Sequence, residues 1–112
     1  MIPVSISFPD LPPSSAVEYV INEKINKLER RFPRITSCRV AVESPHHHHQ
    51  KGRIFHIQIK AHVPGEELVV SREPAKNMAH ADIYVAIRDA FKALTRQLED
   101  YYSKRREHVK IA

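Results

Sequence analysis

Apolar and polar residues alternate at the start of the chain, with Ile2, Val4, Ile6 and Phe8 on one side and Pro3, Ser5 and Ser7 on the other. A period of two marks a strand with one buried face. Pro3 has no N–H to give a ladder, so this strand belongs at a sheet edge or at a strand start. Asp10-Leu-Pro-Pro13 breaks the alternation, and the period then changes. Ser15-Ala-Val-Glu18 reads as a capping box opening a helix that Pro33 ends. Val17, Ile21, Leu28 and Phe32 form its apolar stripe, with Val20 and Ile25 at the margins.

Period two returns from Thr36 to Glu43, where Cys38, Val40 and Val42 alternate with Arg39, Ala41 and Glu43. It recurs from Arg53 to Val63, where Phe55, Ile57, Ile59, Ala61 and Val63 alternate with His56, Gln58, Lys60 and His62. The segment between them, Ser44 to Gly52, is polar and too short for a crossover, so the two strands are expected to form a long-looped hairpin. A turn at Pro64-Gly65 leads to a further strand, Glu67 to Arg72, and residues 73–81 read as an irregular connector. The last helix is predicted from near Asp82 to about His108, roughly 40 Å at 1.5 Å per residue. At about 100° per residue its apolar face is Ile83, Ile87, Phe91, Leu94 and Leu98. The charged residues from about 104 to 112 are expected to fray. With no internal repeat and no linker, residues 1–112 are expected to make a single domain. Its class is α+β, in the order β-α-β-β-β-α, a four-stranded sheet with two helices packed on one face.

Charge sharpens this picture. On the first helix Lys24, Lys27, Arg30 and Arg31 occupy one flank, whereas Glu18, Glu29, Asn22 and Asn26 occupy the other, with Glu23 placed to pair with Lys27. On the second helix Arg88, Lys92 and Arg96 recur every fourth residue beside the apolar face. The formal net charge is +5 and the pI near 9.6, a balance that favours a polyanionic partner over an acidic small substrate. A merely solvated helix surface has the same appearance.

Several chemistries are left without support. Two glycines cannot build a phosphate-cradling loop, and neither a nucleophile elbow nor a supported pair of catalytic carboxylates is present, so no enzyme activity is expected. The GXXG loop of KH domains and the aromatic strands of RRM domains are absent too. Cys38 is the single cysteine and falls on the inward parity of its strand, which suits a core residue in a reducing compartment, with the cytoplasm as the default. The first residues lack a basic segment followed by a long apolar run, and no stretch approaches the ~20 apolar residues that span a bilayer. His46, His47, His48 and His49 invite a metal reading, but adjacent histidines on a loop do not make a fixed tetrahedral site, so neither metal nor cofactor is expected. That loop would gain positive charge below about pH 6.5. Tyr84, Tyr101 and Tyr102 could stack on bases, though Tyr84 and Tyr101 border the apolar stripe and are expected to pack. His56 and His62 are expected on the face that the helices leave open.

Three stretches, taken in order, carry a resemblance to a known family. They are Glu23-Lys-Ile-Asn-Lys-Leu-Glu-Arg-Arg-Phe32 followed by Pro-Arg34-Ile, the strand Cys38-Arg-Val-Ala-Val42, and Asp82-Ile-Tyr84-Val-Ala86-Ile87 continuing to Leu94-Thr-Arg96-Gln-Leu98. In these the chain resembles the ribosome hibernation-promoting factors and ribosome-associated translation inhibitors, once described as sigma-54 modulation proteins. The resemblance implies the same β-α-β-β-β-α fold and a place in the mRNA and tRNA channel of the small ribosomal subunit, with basic helix residues on 16S rRNA. Lys24, Lys27, Arg31, Arg34 and Arg96 match basic positions of the family pattern. Arg88 and Lys92 join them by helical spacing near Arg96 alone. The connector from Glu73 to Ala81 and the four-histidine loop depart from the family pattern, which bears on fine placement. The chain ends soon after its last helix, without the extra C-terminal domain of long members, so any effect on ribosome dimerisation is expected to be indirect. The alternative is a regulatory module that binds an acidic protein partner through the same flank.

Overall fold

Each element forms where local chemistry and burial agree. The computed structural model describes the backbone of residues 2–44, 47–48, 52–71 and 82–111, and the side chains of residues 2–44, 54–71 and 82–105. In chain order the elements are β1 (Val4–Ser7), α1 (Ser15–Arg31), β2 (Ser37–Glu43), β3 (His47–His48), β4 (Gly52–Arg53), β5 (His56–Val63), β6 (Glu66–Ser71) and α2 (Ile83–Ile111). The main sheet has the order β1-β2-β5-β6, with β1 parallel to β2 and the other pairs antiparallel. The expected class and order of elements are therefore present, with the two-residue ribbon β3-β4 as an addition inside the loop between β2 and β5.

β1 lies at a sheet edge, as Pro3 requires, and Pro3 contributes the group it retains: its carbonyl accepts from the Cys38 N–H at 3.1 Å. The N-cap of α1 is Ser14 rather than Ser15. Ser14 has extended backbone, φ −130 and ψ 116, and its hydroxyl accepts from the Val17 N–H at 3.2 Å. Because the third helical residue counted from this cap is Val17, no reciprocal capping box forms, and Glu18 instead adds charge near the positive end of the helix dipole. The strand expected over 53–63 is interrupted at Ile54 and Phe55. Ile54 is buried, and its carbonyl accepts from the hydroxyl of the fully buried Ser44, whose N–H donates to the Asp10 carboxylate at 2.9 Å. These bonds satisfy polar groups that leave the ladder at this corner.

One face of the sheet is dry. Cys38, Val40, Val42, Ile57, Ile59, Ala61, Val63, Leu68 and Val70 project into a single core with Val17, Ile21, Ile25 and Phe32 of α1 and its following residue, and Ile87, Phe91, Leu94, Leu98 and Tyr101 of α2. Ile25, expected at the margin, is 2% exposed, whereas Leu28 and Ile83 are only partly buried. β1 and β6 both run in the direction of β2, and each precedes a helix that returns across the same face. The two helices therefore run parallel, α1 nearer β1 and α2 over β5 and β6.

The β5-β6 hairpin turns at Pro64 and Gly65, and Gly65 has φ 86. Proline followed by a glycine of positive φ is the pattern of a type II turn. The outer side of this turn is held by α2, because both the Tyr101 hydroxyl and Arg105 Nη2 donate to the Pro64 carbonyl. Two stability predictions follow from this packing. Leu94→Ala should lower unfolding free energy by roughly 2–5 kcal/mol, since it empties a fully buried site. Gly65→Ala should cost about 1–2 kcal/mol for holding a Cβ at positive φ, with the new methyl also 3.3 Å from Arg105 Nη2. Urea denaturation of each variant beside the parent protein measures both.

Candidate nucleic-acid interface

The basic residues occur on helices whose orientation is set by the core beneath them. Arg31 at the end of α1 reaches Glu99 on α2, and the Arg34 N–H just beyond α1 donates to the Tyr102 hydroxyl at 2.9 Å. Both contacts join residues 68 apart in sequence. Carried back along parallel helices, the same offset would bring the turn of α1 that bears Lys24 towards Lys92 and that of Lys27 towards Arg96. Since Arg31 faces α2, the flank it shares with Lys24 and Lys27 borders the groove between the helices, and Glu18 and Asn22 fall on the far side, towards β1. On α2 all three of Arg88, Lys92 and Arg96 are exposed: Arg88 stands beside the apolar stripe, at about 100° from its centre, while Lys92 and Arg96 fall nearly opposite it at about 100° per residue.

An aromatic cluster packs against α2 where α1 ends. Tyr102 packs on Phe32 with ring centroids 5.1 Å apart and on Tyr101 at 5.4 Å, while the Arg31 guanidinium lies 4.8 Å over the Phe32 ring. Tyr101 is 6% exposed, so it packs as expected. Tyr84 does not: it is 45% exposed at the start of α2. Tyr19, which the sequence pattern did not single out, is 64% exposed on the outer face of α1. Its hydroxyl interacts with Glu23, and the hydrogen bond and negative charge of that carboxylate raise the phenol above its usual value. Glu23 thus turns to Tyr19 instead of pairing with Lys27.

Of the residues singled out from sequence, Lys27, Arg34, Lys92 and Arg96 are exposed, Lys24 is half-buried, and none of the five has an ion-pair partner among the described residues. Arg31 and Arg88 are paired, with Glu99 and with the adjacent Asp89 at 3.2 Å. Both pairs are about half exposed, and such surface pairs stabilise by only about 0–1 kcal/mol. A phosphate can replace the carboxylate at little cost. The Arg31–Glu99 contact could not be read from sequence, because it depends on how far along α2 the end of α1 falls.

Other candidates resolve differently. Cys38 is 3% exposed, and burial pushes its thiol up to about 11, so it is a core residue and not a nucleophile. His56 and His62 lie on the open sheet face, where His56 Nδ1 is 3.2 Å from Glu43 and His62 Nε2 is 2.7 Å from Glu67. The buried His56 Nε2 has no hydrogen-bond partner among the described residues. The side chains of His46, His47, His48 and His49 and the connector 73–81 lie outside the described residues. No group of three or more potential metal ligands occurs among the described ones, and no helix there is long and apolar enough to cross a membrane.

Residues 4–106 match the family described as "Sigma 54 modulation protein / S30EA ribosomal protein". The chain belongs to this family. Its members are non-enzymatic ribosome-binding factors. A ribosome hibernation promoting factor from Azotobacter vinelandii is 36% identical over 104 residues, covering 93% of this chain and 86% of that one. Two solved structures share the fold. The N-terminal domain of Protein Y from Thermus thermophilus has TM-score 0.67 at 20% identity, covering 90% of this chain and 99% of that chain. A ribosomal subunit interface protein from Coxiella burnetii has TM-score 0.70 at 14% identity, covering 91% and 99%.

The groove supplies its own test. Glu99→Gln removes the carboxylate that occupies Arg31, so the variant should bind a single-stranded RNA oligonucleotide roughly 2–5-fold more tightly at low salt, the equivalent of one surface ion pair. Fluorescence anisotropy reads the change, and weaker binding would count against Arg31 as an RNA contact.

Proposed function

We propose that this protein silences ribosomes by occupying the mRNA and tRNA channel of the small subunit in the cytoplasm. It acts as one unit: Lys24, Lys27, Arg31, Arg34, Arg88, Lys92 and Arg96 meet 16S rRNA phosphates across the two helices. The mechanism is occlusion, since a rigid body seated in the channel excludes mRNA and tRNA without chemistry. The observation that carries this reading is that Lys24, Lys27, Lys92 and Arg96, on two helices joined at Arg31–Glu99, have no ion-pair partner among the described residues. Cations without intramolecular counterions are available to release counterions from a polyanion, and several together give tight, salt-sensitive and largely sequence-independent binding. Membership of the family and the 36% identical hibernation promoting factor support the ribosome as the polyanion.

Sucrose-gradient sedimentation of stationary-phase lysate tests it. The protein should co-migrate with small subunits or whole ribosomes at low salt and leave them at high salt. A variant with Lys24, Lys27, Arg88, Lys92 and Arg96 changed to Ala should stay at the top of the gradient. Retention of a complex after nuclease treatment would point instead to an acidic protein partner held by the same surface.

A further inference from the structure

The face of the sheet turned away from both helices has its own charge pattern. Across its middle run Ser5, Arg39, Lys60 and Val69, one residue from each strand and in register. Arg39 and Lys60 stand directly opposite one another on antiparallel strands, a placement that sets their Cβ atoms about 5 Å apart and destabilises the sheet by like-charge repulsion. Neither has an ion-pair or hydrogen-bond partner among the described residues. The carboxylates of this face do not relieve them. Glu43 is engaged by His56 in the row at one end, and Glu67 by His62 in the row at the other. The neighbouring row is Ser7, Ala41, Gln58 and Ser71, and Ser37 completes a low, polar surface around the two cations.

A sheet does not gain by opposing two cations at its centre, and neither finds a counterion among the described residues, so the surface is suited to a partner that supplies one. The chemistry of the surface narrows what that partner is. A protein interface wants a cluster of large apolar side chains at its core, and Val69, 40% exposed, is the one large hydrophobic residue exposed on this face among the described residues. A second copy of the chain would bring the same positive charge. Cations surrounded by hydroxyls and amides suit phosphate oxygens, and small neighbours let a nucleic-acid backbone come close.

We propose that Arg39 and Lys60 form a second phosphate-binding surface, so that the protein is held by RNA backbone on two opposite sides at once. This rests on the ribosome reading above, and it turns the sheet from a passive support into a contact face. A body gripped on both sides also gains the effective concentration of a bivalent ligand, because binding of one face holds the other near its site.

The experiment measures the affinity of purified small ribosomal subunits for the wild-type chain, for Arg39→Ser/Lys60→Thr, for Lys24→Ala/Lys92→Ala, and for the four changes combined, over a series of salt concentrations. Each lost phosphate contact lowers the slope of log affinity against log salt by about 0.7–0.9. The sheet variant should lose about one to two units of slope and bind at least tenfold more weakly, and its loss should add to that of the helix variant. Unchanged affinity and slope in the sheet variant, beside a clear loss in the helix variant, would overturn the second surface while leaving the groove intact. Failure of the wild-type chain to bind would overturn both readings together. Thermal melting provides an independent check. Lys60→Thr should melt at the same or a higher temperature, because it relieves repulsion and places a β-branched residue in a strand. A lower melting temperature would show that the fold itself needs this lysine and would overturn its assignment to a partner.

Discussion

Burial of one face of the sheet beneath two parallel helices decides where every charge on this protein can stand. Ile21 of α1, Ile59 of β5 and Ile87, Leu94 and Leu98 of α2 are all fully buried, and each such side chain stabilises the fold by about 1.5–3 kcal/mol on leaving water. That contact sets the rotation of both helices about their axes. With the apolar stripes turned down, Lys24, Lys27 and Arg31 border the groove and Lys92 crowns α2. The reverse face of the sheet carries the polar residues, with the exposed Arg39 and the half-buried Lys60 at its centre.

The second determinant is the junction at the end of α1. Phe32, Tyr101 and Tyr102 form a packed aromatic cluster, and the Tyr102 hydroxyl accepts from the Arg34 N–H just beyond the helix. This ties the end of α1 to the turn of α2 that carries Glu99 and Tyr102. The ion pairs Arg31–Glu99 and Arg88–Asp89 lie over this frame and contribute little to it, being half exposed and worth about 0–1 kcal/mol. Charges held this weakly are suited to exchange, because the protein keeps its shape through apolar contact rather than through these pairs.

A ribosome-binding factor of this kind needs rigidity more than any reactive group. The described residues hold no buried charged cluster, and the one thiol is pushed up and sealed in the core. Hydrogen bonds close the corners. Ser44 ties the start of the histidine-bearing loop to Asp10 and Ile54, and Tyr101 with Arg105 ties the β5-β6 turn to α2. These bonds satisfy backbone polar groups where the chain leaves the ladder and hold the turns against the sheet and α2.

Periodicity alone determined most of the architecture. Alternation in residues 2–8, 36–43 and 53–63 marked strands and their inward faces, the Pro3 rule placed β1 at an edge, and the i, i+4 spacing marked both helices and their cations. These are local properties, because a side chain's face follows from backbone geometry over a few residues. Where two local signals compete at neighbouring positions, as at Ser14 and Ser15, only the folded backbone chooses the cap. Longer-range facts were not legible at all. Arg31 meets Glu99, the Tyr102 hydroxyl accepts from the Arg34 N–H, Ile25 is more deeply buried than Leu28, and Arg39 opposes Lys60. Each depends on the axial shift of one helix against another or on the register of one strand against its neighbour, and those are settled by packing among residues far apart in the chain.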